Sequence, residues 1–531
     1  MTNDGVFDVV IIGAGHNGLV TAGYLARQGL KVKVVERRHI VGGAAVTEEF
    51  HPGYRNSVCA YTVSLLNPKV VADLDLYQHG LKIIERPVSN FLPTSDGGYL
   101  QAFPDPERMR SEVARHSTQD ADRLADYEQT IERLAKVLRS FVLEVPPNAG
   151  GGLTGIWAAI KSGKRLYDLD LEDQRDLADI MTMSAVDFLD RWFENDAVKA
   201  LFAFDGIVGT LASPFQPGTA YVLLHHCFGE IMPAPGSWGH AIGGMGAITQ
   251  AMAKSAEGAG ADIEVSAPVS EIMVAGDKAC GVRLEDGREF RARAVAANVN
   301  PKLLFGKLLD KSNVPPEFYA RMMNWRCTSG TFRMNVALRE LPDFTCLPGK
   351  IQAGHHTAGI ILAPDVEYME RAYIEARQNG WSQNPVVEML IPSTIDSTLA
   401  PSDHHVASLF CQHFDYDLPG DRSWDDEREA AADVIIDTVN RFAPNFSDAV
   451  IARQILSPLD LERDFGLIGG DIFHGALDLN QLFSLRPTLG YADYHMPLEG
   501  LYLCGSGAHP GGGVTGAPGH NAAREILREL K

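Results

Sequence analysis

Hydrophobic positions along this chain follow two periods, and the switches between them mark its elements. Val9-Val10-Ile11-Ile12 is a continuous apolar run, the mark of a strand buried on both faces, and it breaks off at Gly13. Leu19 to Gln28 takes helical spacing, carries the small Ala22, and closes at Gly29. Lys31 to Val35 predicts a second strand, followed at once by Glu36. Val41 to Thr47 holds a glycine pair, Phe50 to Tyr61 predicts irregular backbone, and from Ile83 short strands begin, with a hairpin signal at Asp96-Gly97-Gly98. Residues 106–235 are mostly helical in pattern. There Ser117 with Asp120 opens a helix that carries Leu124, Tyr127, Ile131, Leu134, Leu138 and Phe141 on one face, and Pro146-Pro147 and Gly150 to Gly152 end it. Strand signals return at Ala261 to Val265, Val269 to Val274 and Ala294 to Asn298, with a hairpin at Asp286-Gly287. They recur at Thr331 to Leu338 and at Gly500 to Gly505.

The first of these junctions carries chemistry. Gly13-Ala14-Gly15-His16-Asn17-Gly18 sits where a strand turns into a helix, so Gly13 permits the tight turn and Gly15 lets backbone approach a pyrophosphate. Gly18 lets helix and strand pack closely, and the first helical N–H groups face the anion. An acid about 20 residues past the glycines, here Glu36, is placed to accept hydrogen bonds from the ribose of a dinucleotide. Arg37 and Arg38 leave room for a 2′-phosphate, which Glu36 at the strand end disfavours.

At the other end of the chain, Gly500-Leu501-Tyr502-Leu503-Cys504-Gly505 meets the run Ser506 to Gly516, which holds Gly507, Gly511, Gly512 and Gly513, and a helix follows through Asn521. Glycines before a helix N-terminus again present backbone donors. Two such sites at opposite chain ends point to a cofactor too long for one loop. FAD fits, with its ring gripped from the C-terminal side.

Composition narrows the partners. The 531 residues carry a net charge of -21 at pH 7, the wrong sign for binding nucleic acid through phosphate. Seven scattered cysteines form no C-x-x-C, so neither a dithiol centre nor a zinc knuckle is expected. No metal is expected at His225-His226-Cys227 either, because adjacent residues in regular structure cannot all reach one ion. No run of about 18 apolar residues occurs; Ala220 to Met232 is the nearest and is interrupted by His225, His226 and Glu230. The first strand begins near residue 7, leaving no room for a signal or transit peptide, and a cytoplasmic location is expected, or the mitochondrial matrix for a eukaryotic source. Leu153 to Ile160, followed by Lys161, Lys164 and Arg165, is apolar and then basic. It reads either as a helix packed on the body or as a peripheral membrane contact through residues 153–165.

Three blocks together carry a resemblance. They are G-A-G-H-N-G with E-R-R and V-G-G-A-A, then G-G-M-G-A-I-T-Q, then L-Y-L-C-G-S-G-A-H-P-G-G-G-V-T-G-A-P-G-H-N-A-A, at residues 7–62, 236–300 and 465–531. The chain resembles the phytoene desaturase-like FAD-dependent oxidoreductases. That resemblance implies FAD contacts from Gly13, Gly15, Gly18, Glu36, Gly42, Gly43, Val269, Gly505, Ser506, Val514 and Thr515. Relatives in the wider amine oxidase group carry Arg after the glycine pair, where this chain has Ala44. The spellings G-x-G-x-x-G at Gly150 to Gly155 and at Gly511 to Gly516 do not directly follow a strand, so no second dinucleotide motif for a nicotinamide is expected.

A flavin accepts hydride, so the protein chiefly positions a C–H bond and excludes water. His474, Arg486, His509 and Arg333 are the catalytic candidates; Arg333 lies on a strand where relatives carry lysine near the flavin. Arg486 bonding carbonyls and His474 capping a turn are the structural readings of the same residues. Cys504, in an apolar strand, reads as a small buried residue rather than a flavin thioether. The expected fold is α/β, a Rossmann-type FAD-binding domain of the glutathione reductase and amine oxidase kind with an inserted α+β substrate domain. Residues 1–85, 236–300 and 466–531 would build the first, and 86–235 and 301–465 the second. The expected function is hydride transfer to or from an apolar or carotenoid-like small lipophilic substrate, by a monomer or homodimer. A flavin amine or amino-acid oxidase and a non-catalytic FAD-binding protein are the alternatives.

Overall fold

The computed structural model describes residues 6–148, 152–233 and 236–531. The predicted helix stop at Gly150 and Gly151 lies outside them, as do the first five residues and the side chains of Leu153 and Thr154.

Two seven-stranded sheets organise the molecule. In the first, Val6–Ile12 lies between Val32–Val35 and Glu289–Ala297, parallel to both. Val32–Val35 in turn pairs in parallel with Asp262–Glu264. The other edge of Glu289–Ala297 is shared. Its start takes the antiparallel hairpin partner Lys278–Leu284, across the turn at Gly287, and its end takes Leu501–Leu503 in parallel. Val269–Ala275 closes that side. Val9, Val10, Ile11, Val34, Val295 and Ala296 are fully buried, which is why these strands read as unbroken apolar runs rather than alternations.

Helix His16–Arg27 packs between Gly246–Gly258 and Ala517–Leu530. The approach to the C-terminal helix is close: a Cβ on Gly519 would stand 2.3 Å from the Asn17 carbonyl oxygen, and Thr21 Oγ1 donates to the Gly519 carbonyl at 3.2 Å.

The second sheet runs in the order Val450–Leu456, Phe332–Leu338, His405–Phe414, Trp381–Leu390, Gly359–Leu362, Asn90–Pro93, Tyr99–Ala102. Its last two strands are the hairpin signalled at Asp96-Gly97-Gly98. Helices between Pro106 and His226 form a further layer. The long one, Thr118–Val142, starts where Ser117 Oγ accepts the Asp120 N–H at 3.1 Å and buries Leu124, Tyr127, Ile131, Leu134 and Phe141. Phe50 to Tyr61 is not wholly irregular. Thr47–His51 and Tyr54–Ser57 pair antiparallel across Gly53, a hairpin whose polar sequence hides the alternation.

Candidate functional site

A cavity of about 770 Å³ opens between the two sheets. Ile12, Val35 and Asn298 line it at the carboxyl ends of the parallel strands, the position where open α/β sheets bind ligands. Gly13, Gly15, His16, Gly43 and Ala44 form one wall, and Ser506, Gly513 and Val514 another.

Asn298 explains why both chain ends are glycine here. A Cβ on Gly13 would lie 2.9 Å from its carbonyl oxygen. One on Gly15 or Gly18 would lie 3.0 or 2.9 Å from its Nδ2, and one on Gly505 2.9 Å from its Oδ1. Asn298 Nδ2 also donates to the Gly13 carbonyl at 3.2 Å. Gly18 sits beneath the wall, where a Cβ would stand 2.2 Å from the Gly13 oxygen. Gly42, at φ +128°, donates its N–H to the Ala14 carbonyl at 2.9 Å. Gly18, Gly42 and Gly505 thus shape the site without lining it, and Thr515, whose Oγ1 accepts the Ala517 N–H at 3.1 Å, does not line it either, whereas Gly13, Gly15, Glu36, Gly43, Val269, Ser506 and Val514 line it directly. Asn298 is a site residue that no sequence motif marks; its place at the end of a buried apolar strand is the one signal that points to it.

These residues fit FAD. No side chain caps helix His16–Arg27 and no acid sits in its first turn, so its leading N–H groups and positive dipole end favour an anion. Glu36 marks one end of the cavity beside Val269. Its Oε2 accepts the Ala14 N–H at 2.8 Å and its Oε1 the Arg38 N–H at 2.9 Å, and each oxygen keeps a lone pair for a ribose hydroxyl. His16 Nε2, His474 Nδ1 and Ser64 Oγ are buried without partners in residues that line the cavity. Burial pushes the His16 imidazole down to about 3 and, together with nearby Arg486, the His474 imidazole down to about 4, so both are neutral and can serve a bound ligand as donor or acceptor. Val514 and His474 adopt φ of +56° and +58°, a left-handed backbone that non-glycine residues hold only where the surroundings enforce it.

The far end of the cavity is walled by Tyr61, Val208, Trp238, Phe410, Ile472 and Phe473, with His226 among them. Tyr61 and Phe410 stack at 5.3 Å between centroids. Behind them lies a buried charged group. Tyr61 Oη donates to Glu388 Oε2 and Arg86 Nη2 donates to Thr62 Oγ1, while the Arg333 guanidinium stands 4.4 Å from the Tyr61 ring centroid. Burial raises the Glu388 carboxyl above its ordinary range and pushes the Asp205 carboxyl up to about 8, helped by the nearby Glu388 charge.

Three catalytic candidates are corrected by this geometry. Arg486 is fully buried, and its guanidinium donates to the carbonyls of Phe473, Gly475, Ala476, Gln481 and Ser506 at 2.7 to 3.3 Å. It ties the 473–481 segment to the glycine-rich loop and has no donor left for a substrate. His509 points away, with Nε2 at 3.0 Å from the Phe141 carbonyl. Arg333 does not line the cavity; it donates to Ser408 Oγ at 2.6 Å from behind Tyr61. His474 alone of the four lines the cavity. Cys504 is wholly buried, its thiol pushed up to about 12 by burial.

Comparison with known proteins agrees with this architecture. Residues 18–331 match the family of flavin containing amine oxidoreductases. The chain is 40% identical, over 99% of its length and 94% of the relative's, to a Mus musculus protein named pyridine nucleotide-disulfide oxidoreductase domain-containing protein 2. It is 25% identical to a limonene dehydrogenase chain of Castellaniella defragrans, over 98% of this chain and 95% of that one. Among solved structures, cyclohexylamine oxidase from Brevibacterium oxydans superimposes with a TM-score of 0.59 at 17% identity, covering 99% of each chain.

Proposed function

The chain belongs to the flavin containing amine oxidoreductase family and is an FAD-dependent oxidoreductase, and from that premise we propose that its substrate is an apolar, lipid-like molecule of the carotenoid or other polyene kind. It would be desaturated, saturated or isomerised. The observation that carries the reading is the character of the far wall, where Tyr61, Val208, Trp238, Phe410, Ile472 and Phe473 present rings and alkyl groups. The name of the limonene dehydrogenase relative, which points to a hydrocarbon, supports it.

Bound flavin supplies hydride acceptance and donation. The chain's own residues do the rest. Gly13, Gly15, Gly43 and the helix N-terminus would hold the pyrophosphate, Glu36 the ribose, and Ser506 and Val514 the ring side. The far wall orients the substrate and excludes water. Tyr61, whose hydroxyl faces Glu388, would exchange the proton that accompanies hydride movement, receiving one at Oη as its own passes to the Glu388 carboxylate.

An amine substrate is disfavoured by charge. Two buried guanidinium groups, Arg86 and Arg333, stand behind the wall beside the Glu388 carboxyl, and burial raises the carboxyls of both Glu388 and Asp205 above their ordinary range, so an ammonium would meet a surplus of positive charge there.

The test is anaerobic mixing of the FAD-loaded protein with limonene, phytoene, benzylamine and putrescine while the visible flavin band is followed. Bleaching by a hydrocarbon and not by the amines is expected; bleaching by an amine, with peroxide formed in air, overturns the reading. In the active pairing, Tyr61→Phe slows flavin reduction by roughly 10²-fold.

A further inference from the structure

Helix Gly152–Tyr167 leaves its apolar face uncovered. Ile156 is 56% exposed, Trp157 70%, Ile160 52% and Tyr167 81%. Positions 156, 157, 160, 164 and 167 fall on one side of a helix, so Lys164 completes that face. Leu171, just beyond, is 60% exposed. A cluster of large exposed apolar side chains on one surface marks an interaction site.

The charge of the helix says what covers it. Gly152–Tyr167 carries Lys161, Lys164 and Arg165 and no acid, in a chain whose net charge is -21. Arg165 turns inward, donating to Glu144 Oε1 at 2.9 Å and packing over the Phe141 ring. Lys161 has no ion pair among the described residues, and Lys164 pairs with Asp168 on the same surface. Lysines flanking an apolar face can extend their ammonium groups toward anionic headgroups while the stems stay with the acyl boundary. Trp and Tyr are the side chains that settle at that boundary. Among the described residues no helix is long and apolar enough to cross a bilayer, so the helix would lie on one.

We propose that the Ile156, Trp157, Ile160 and Tyr167 face of this helix seats the protein on an anionic lipid surface. The helix and the C-terminal glycine-rich region are tied to one shared segment. Arg165 donates to the Ser140 carbonyl, His509 Nε2 bonds the Phe141 carbonyl at 3.0 Å, and Asn521 Nδ2 donates to the Val142 carbonyl at 3.0 Å. The inference deepens the proposed function, since a lipid-like substrate would then come from the surface on which the enzyme sits.

The experiment is sedimentation of the FAD-loaded protein with vesicles of phosphatidylcholine containing about one-quarter phosphatidylglycerol. Wild type should sediment, with blue-shifted tryptophan emission. Trp157→Glu with Ile160→Glu should weaken binding at least tenfold on the order-of-magnitude scale of interfacial burial, while flavin content and melting temperature stay unchanged. Lys161→Glu with Lys164→Glu should lower binding to these vesicles. Wild type that does not sediment, or the apolar-face variant binding as well as wild type, overturns the proposal. So does a wild-type dimer that the same variant converts to monomer without vesicle binding, which would assign the face to a second copy. Vesicle binding is read without turnover, so hydrocarbons failing to reduce the flavin would remove the substrate class and leave this face standing.

Discussion

At the scale of single residues, the site is governed by what cannot be added to it. Gly18→Ala would place a methyl group 2.2 Å from the Gly13 oxygen, so either the helix moves off the strand or the turn opens. Loss of bound flavin is the expected outcome, read as visible absorbance per mole of purified protein. Asn298 supports four glycines at once, and Asn298→Leu should weaken FAD binding by about tenfold, equivalent to about 1.4 kcal/mol, measured by titration of the apoprotein. Flavin affinity unchanged in both variants would remove the glycine cradle as the cofactor's seat. Arg486 differs in kind. Arg486→Leu leaves five buried carbonyls without their donor and should cost at least about 3 kcal/mol of stability. Arg486→Lys should rescue little of this, because an ammonium cannot reproduce the planar fork. A variant with native melting and impaired turnover would restore Arg486 as catalytic.

At the scale of elements, the turn that launches helix Gly246–Gly258 is held from the second sheet's side of the molecule. Asp396 accepts from His240 Nε2 at 2.9 Å, from the Gly243 N–H at 2.7 Å and from the Thr398 N–H at 3.0 Å. These bonds outweigh its desolvation and hold its carboxyl well below the usual range. The ionised form is favoured by folding, so its contribution is complete above the ordinary carboxylate pKa of about 3.9 and is lost as pH falls below it. Asp396→Asn should therefore lower the melting temperature at pH 7 and shrink that difference in strong acid. A difference that persists unchanged below the carboxylate range would show that the charge is not what the turn uses.

At the scale of the whole molecule, the interior is rich in neutral imidazoles. Burial pushes His16, His225 and His413 down to about 3, and His226, His355, His474 and His509 down to about 4. The unfolded chain binds protons at these side chains below about pH 6.5, where the folded chain does not. Stability therefore drains as pH falls from that point toward 4, by up to about 1.4 kcal/mol per pH unit for each histidine. Melting temperatures taken from about pH 8 to about pH 5 should bend downward near the histidine range. A curve that stays flat until carboxylates titrate would mean these imidazoles are hydrated in solution.

The backbone's local plan follows from the order of the residues. Apolar runs of strand length, the glycines at each strand-to-helix turn and the acid after the second strand are short-range signals, because buried parallel strands, tight turns and helix starts each impose their own period and residue type. Val9 to Ile12, Glu36, the hairpin turn at Gly97 and the stripe from Leu124 to Phe141 were legible for that reason. The direction in which a side chain points was not. Arg486 and His509 stand within the right segments, yet their partners, five carbonyls in one case and Phe141 in the other, are selected by packing between distant parts of the chain. The far wall joins Tyr61, Trp238, Phe410 and Phe473, and Asn298 meets glycines from both chain ends. No local period encodes such meetings, because they arise only when separate segments close on one another and bury what lies between.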